Sequence, residues 1–279
     1  MLKSHLKKKI INLLIKKVII NTIKLRYPII KKHFSKIINK KILSVKRRSK
    51  YLLINLEANI TIMAHLGMTG KFFILNNKIR QKTSFYYNLK IEDTKHNHLI
   101  FILNKNIKLI YNDVRKFGFI KIVSTDKLIL DKHINILGPE PLSVDFNVNY
   151  FKNYAVGKKK NIKNIMMDQK FVSGLGNIYV NEILFLAKLN PKRSIKNING
   201  KAMTELIYFT KRVLLDSIKK GGSSIKDFND TEGKTGKFQQ KFNVYGRLGK
   251  KCLKNNCTQL ITKINISNRS TFYCKSCQK

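Results

Sequence analysis

Acidic residues are scarce in this sequence. Only 15 Asp and Glu stand against 57 Lys and Arg, leaving a formal charge of +42. A field that positive attracts polyanions, nucleic acid first and an acidic membrane surface second. The Lys-, Ile- and Asn-rich composition also matches what AT-rich coding leaves at unselected surface positions, so part of the excess is drift. The sign still constrains the partner, because such a chain holds DNA or RNA nonspecifically at low salt. No run of 18 apolar residues occurs, so no membrane span is expected. Cysteine is absent until Cys252, and all four cysteines fall in the last 28 residues, which argues against a disulfide framework for the whole protein. The opening stretch MLKSHLKKKIINLLIKKVII is broken by lysines and has no small-residue cleavage site, so a secretory signal is not expected and a cytosolic setting is.

Hydrophobic residues make up 43% of the 279, ample for real cores and for two domains with a small third module. Residues 6–40 read as one or two basic amphipathic segments that start helical. From about 42 to 124 the pattern is β. LSVKRRSKYLLINL and NITIMAHL flank a turn at 57–59, HLIFIL and IKLIYND flank another at 104–106, and FGFIKIVS follows. Short strands with Asn-rich turns predict an antiparallel sheet or sandwich. LGPEPLS, 137–143, holds two of the four prolines and reads as a domain boundary. Beyond it the period becomes helical. NIYVNEILFLAKLN, 177–190, forms one helix ended by Pro191. A second has Met203, Leu206, Ile207, Val213, Leu214 and Ile218 on one stripe and is stopped by the glycines at 221–222. The tail is a short β-rich segment.

Four motifs carry chemistry. Cys252 and Cys257, then sixteen residues, then Cys274 and Cys277 give two close pairs that a hairpin brings onto the corners of a tetrahedron, the geometry of structural zinc; the plainer reading is four inert thiols. Four cysteine ligands leave no open position, so such a metal holds shape and does no catalysis. Arg269, where the strand returns between the pairs, suits phosphate or base recognition, or is a solvated surface residue. SGLGNIY, 173–179, places glycines before a helix start, which makes an anion site or simply a tight turn, with Asn177 as a cap or donor. Lys50 in KRRSKYLL, Met68 in HLGMTG, His96 and His98 in KHNH, and Arg115 and Phe117 in YNDVRKFGF lie at strand ends. Cations with apolar or planar groups at such places are how proteins hold a bent duplex.

These blocks, with LGPEPLS, VSGLGNIYVNEILF, GGSSIKDF, VYGR and RSTFYCKSCQK, stand in an order and spacing that resembles the formamidopyrimidine-DNA glycosylase family over about residues 20 to 279. The resemblance implies an α+β fold: an N-terminal antiparallel β-sandwich (1–136), a helix–two-turns–helix domain (144–235) and a C-terminal β-hairpin zinc finger (243–279). It implies a bifunctional glycosylase and abasic-site lyase that removes oxidised purines from double-stranded damaged DNA, with one structural zinc, as a monomer in the bacterial cytosol or nucleoid with no obligate protein partner. By residue, Lys50 matches the family's catalytic lysine of the β-elimination step and Arg269 the arginine of δ-elimination. His96, Arg115 and Lys158 match DNA contacts, Asn177 a phosphate contact, and Met68, Arg115 and Phe117 the side chains that fill the gap left by the flipped base.

Two departures stand out. The first cysteine pair is separated by four residues where the family usually has two. The family also begins Met-Pro-Glu-Leu-Pro-Glu, whose proline amine is the nucleophile and whose adjacent glutamate is its acid/base partner, whereas this sequence begins MLKSHLKKK. Either the natural start lies upstream, or the chain is a damaged-DNA-binding protein that has lost its nucleophile.

Overall fold

The fold was obtained as a computed structural model, and it describes residues 2–76, 79–82, 94–220 and 242–279. The segment GGSSIKDFNDTEGKTGKF, which the family resemblance implies covers a flipped base, and the glycines expected to stop the last helix lie outside the described residues. The chain divides into two compact units, one up to Asn135 and one beginning at Ile136 that includes the C-terminal tail.

The first unit opens with helix α1 (Leu2–Ile10), strand β1 (Ile15–Ile20) and the short helix α2 (Lys31–Ser35). The helical start is found, but residues 15–20 form a strand, not a continuing amphipathic helix. IKKVII is paired antiparallel with a partner some 80 residues on, Ile15 opposite Leu103 and Ile20 opposite Leu99. A distant partner leaves no local signal, and β-branched residues favour the sheet once it is there. Strands β2 (Ile42–Arg48), β3 (Tyr51–Leu56), β4 (Ile60–His65), β5 (Lys71–Asn76), β6 (Ile79–Lys82), β7 (Asn97–Leu103), β8 (Ile107–Asn112) and β9 (Phe119–Ser124) follow. They make two antiparallel sheets, ordered β1-β7-β8-β5-β6 and β2-β3-β4-β9.

Alternation decides which side chains meet. Leu52, Ile54 and Leu56 of β3 share one core with Phe72, Ile74, Phe101, Leu109 and Tyr111 of the other sheet, while Leu53 points the opposite way, to Met63 and Phe119. The expected turns are tight: Ala58, Asn59, Lys105 and Asn106 all take positive φ.

The second unit holds α3 (Val148–Ala155), α4 (Ile162–Met167), α5 (Asn177–Leu186) and α6 (Gly200–Lys219), then hairpin strands β10 (Thr262–Ile266) and β11 (Arg269–Tyr273). Asn147, Asn161 and Asn199 cap α3, α4 and α6, each side-chain oxygen accepting an amide of the first turn. With no tryptophan in the chain, the core is built from smaller rings: Phe171 packs edge-on to Phe146 and Phe151 and stacks on Tyr150. Two expectations are corrected. α5 ends at Leu186, ahead of Pro191, because Lys188 turns the chain at φ 56°. On α6 the buried stripe is Met203, Leu206, Ile207, Thr210, Val213 and Ser217, whereas Ile218 is 59% exposed.

Candidate DNA-repair site

Lys50 sits in the two-residue turn joining β2 to β3, with Arg48 and Tyr51 paired across it and Ser49 at φ 54°. The turn is braced by the Arg47 guanidinium, which donates to the Ser49 carbonyl at 2.7 Å. Lys50 therefore stands exposed at the end of a stiff ladder rather than inside the strand. Its neighbour His65 stacks against Phe119, ring centroids 5.8 Å apart. Burial, aided by the charges of Lys50 and Arg26, holds the His65 imidazole down to about 4, so it stays neutral beside the lysine at physiological pH.

Met68, Arg115 and Phe117 come together from two turns 47 residues apart. The Arg115 guanidinium lies 4.4 Å from the centre of the Phe117 ring, and its Nη1 is 3.3 Å from the Met68 sulfur. All three are exposed, Met68 at 64%. An arginine and two large apolar side chains are thus gathered into one exposed cluster, the kind of surface that marks interaction sites. His96 is half-buried at the start of β7, its carbonyl accepting the Asp113 amide at 3.1 Å.

Beneath this cluster lies a residue that sequence reasoning missed. Asp113 is wholly buried and accepts from the Thr69 hydroxyl, the Gly118 amide (2.8 Å) and the Tyr111 hydroxyl (3.1 Å). Its only sequence signal is an acidic residue at a strand end in a chain nearly without them.

In the second unit Lys158 lies over the Tyr154 ring at 4.1 Å, held on the surface at the end of α3. Gly176, not Asn177, caps α5. The anion-site reading of SGLGNIY is also narrowed, because Ser173 N–H already donates to Pro139 and Gly174 N–H to Gln169 Oε1. Asn177 instead uses its amide as a donor to the Ser270 carbonyl at 2.9 Å. Asn181, one helical turn on, accepts the Phe272 amide at 2.6 Å. Lys163 is buried and donates to the Thr271 hydroxyl; burial, with the charge of Arg269, lowers it to about 8. β11 is thus pinned along its length to α4 and α5. Ser267 and Asn268 both take positive φ in the two-residue turn of the hairpin, which leaves Arg269 exposed as the first residue of β11.

The sulfur atoms of Cys252, Cys257, Cys274 and Cys277 all lie within 4.8 Å of one another. The Cys252–Cys277 separation is 3.9 Å and the Cys257–Cys274 separation 3.7 Å. A tetrahedron with metal–sulfur bonds of about 2.3 Å has sulfurs about 3.8 Å apart, so the four thiols fit a tetrahedral ion, and the longer first knuckle closes. Among the unliganded thiols the Gln259 amide lowers Cys257 to about 7, while burial raises Cys252 and Cys277, so the fit to a metal rests on the sulfur geometry.

The described residues thus combine two antiparallel sheets with an exposed Met68–Arg115–Phe117 cluster, and a helical unit with a four-thiol hairpin. A family model described as the formamidopyrimidine-DNA glycosylase N-terminal domain matches residues 1–120, and one described as the formamidopyrimidine-DNA glycosylase H2TH domain matches 137–229. The formamidopyrimidine-DNA glycosylase of Rickettsia bellii is 42% identical over 278 residues, covering 100% of this chain and 96% of that protein. The one from Bartonella tribocorum is 41% identical over 265 residues, 91% of this chain and 89% of that protein. Among solved structures, Lactococcus lactis Fpg in complex with an abasic-site DNA is 31% identical, with a TM-score of 0.84 over 100% of this chain and 97% of that one. A mutant of it with a Fapy-dG DNA gives 0.85 at 30% identity, over 99% and 96%. The chain belongs to the formamidopyrimidine-DNA glycosylase family, the DNA glycosylases of base-excision repair.

Proposed function

We propose that this protein, acting as a monomer in the bacterial cytosol, removes 8-oxoguanine and formamidopyrimidines from duplex DNA and nicks the resulting abasic site by β,δ-elimination. The observation that carries this reading is the Met68–Arg115–Phe117 cluster. A flipped nucleotide leaves a hole in the base stack, and a sulfur, a guanidinium and a ring on adjoining rigid turns are the right size and chemistry to fill it.

Glycosidic cleavage needs an amine at the sugar C1′, which in the family is the proline of a start motif that this sequence does not contain. At an abasic site, where the sugar offers an aldehyde, Lys50 is an amine that can attack C1′, and loss of water gives the imine. The resulting imine acidifies the C2′ proton, whose removal expels the 3′ phosphate; a second elimination expels the 5′ phosphate. Lys50 serves the first elimination, next to a histidine that carries no competing charge. Arg269 serves the second, neutralising the departing phosphate. His96, Lys158 and Asn177 hold the backbone. Cys252, Cys257, Cys274 and Cys277 hold one zinc, which fixes the hairpin that presents Arg269.

The test is Arg115→Ala. Binding to abasic duplex falls roughly tenfold or more while binding to intact duplex of the same sequence changes little, because only the former offers a vacancy. Equal losses on both duplexes would remove Arg115 from the wedge and the reading with it.

A further inference from the structure

The three wedge residues sit on turns that the backbone alone does not connect. Met68 belongs to the turn after β4, and Arg115 and Phe117 to the turn between β8 and β9. What joins the turns is a short polar chain. The Arg115 amide donates to Thr69 Oγ at 3.1 Å, the Thr69 hydroxyl donates to one carboxylate oxygen of Asp113, and the other oxygen takes the Gly118 amide at 2.8 Å. The Asp113 main-chain carbonyl accepts from Lys116 N–H and lies 2.8 Å from His98 Nε2, so the backbone that carries the carboxylate is itself held. The turns are also in van der Waals contact: a Cβ on Gly67, which has φ +62°, would stand 2.6 Å from the Phe117 carbonyl carbon. Asp113 is 0% exposed, which makes each of these bonds costly to leave unmade.

We infer that Thr69 and Asp113 are positioning residues that lock the Met68 turn to the Arg115–Phe117 turn, so that the three side chains enter the DNA as one preformed wedge. A wedge assembled only on contact would lose the entropy of ordering two loops at each insertion; the preformed one has lost it on folding. The inference rests on the wedge reading given above. It adds that recognition of the vacancy depends on two residues that never touch DNA.

Thr69→Val and Thr69→Ser separate this from simple structural damage, since Thr69 is only half-buried and valine keeps its shape. In Thr69→Val the amide of Arg115 exchanges faster with solvent, binding to abasic duplex weakens roughly tenfold, and binding to intact duplex is unchanged. Thr69→Ser, which keeps the hydroxyl, behaves as the parent. In a double-mutant cycle, Met68→Ala and Phe117→Ala are coupled in the parent and additive in Thr69→Val. Unchanged Arg115 exchange in Thr69→Val would show that the latch does not exist. Faster exchange with the abasic preference intact would show that it does not serve recognition. If Met68→Ala and Phe117→Ala leave that preference untouched in the parent, the wedge reading itself falls and the latch role with it; the exchange data distinguish that result from failure of the latch.

Discussion

The side-chain amide of Asn177 donates to the carbonyl of Ser270 at 2.9 Å, one residue beyond Arg269. A helix start and the root of the four-thiol hairpin are thereby tied, and the donor expected to serve a phosphate also sets the position of the arginine. Asn177→Ala is expected to weaken abasic-duplex binding about tenfold. Asn177→Asp should cost more, because a carboxylate faces both a carbonyl oxygen and the DNA backbone. A fluorescence-anisotropy titration of both variants checks the order; equal affinities would mean that the bond does not matter.

Removing the metal should melt the tail and little else. The core that the cysteines share is small, Phe185, Val244, Ile261 and the thiols themselves, and metal-binding free energy is folding free energy in such modules. Elemental analysis is expected to give one zinc per chain, lost in Cys274→Ser together with high-affinity DNA binding, while the sheets of the first unit keep their circular dichroism. A zinc-free protein with full DNA affinity would contradict this.

Folding stability should decline on the acid side. His65 titrates near 4 in the folded protein against an ordinary 6.5, so between those values the unfolded chain binds the extra proton and gains. Stability is therefore fully present above about 6.5 and falls as pH drops toward 4. Burial lowers His98 and His133 in the same direction. Urea midpoints measured from pH 7.5 to 4.5 should show the decline, and His65→Gln should flatten it; an unchanged slope would assign the effect to the other histidines.

Most of the β architecture was legible because strand and turn signals are local: the turns at 57–59 and 104–106 announce themselves through Asn and alternation. Strand β1 was not, since its pairing with β7 spans some 80 residues and its lysines also fit a helix. Met68, Arg115 and Phe117 were readable as motif members, but the reason they meet was hidden. Asp113 joins Tyr111 and Gly118 of its own motif to Thr69, 44 residues earlier, and no short window of sequence contains that last contact. The tail was readable from cysteine spacing, whereas its docking through Asn181 and Lys163 shows only in the fold.

Attack of an amine on an abasic sugar, with Lys50 driving the elimination, is tested by borohydride trapping on a duplex with a single abasic site. A covalent protein–DNA adduct is expected and, without borohydride, β- and δ-elimination products. Lys50→Ala should slow strand cleavage at least a hundredfold, well beyond its loss of binding. Tight binding of the abasic duplex with no adduct and no cleavage would contradict it.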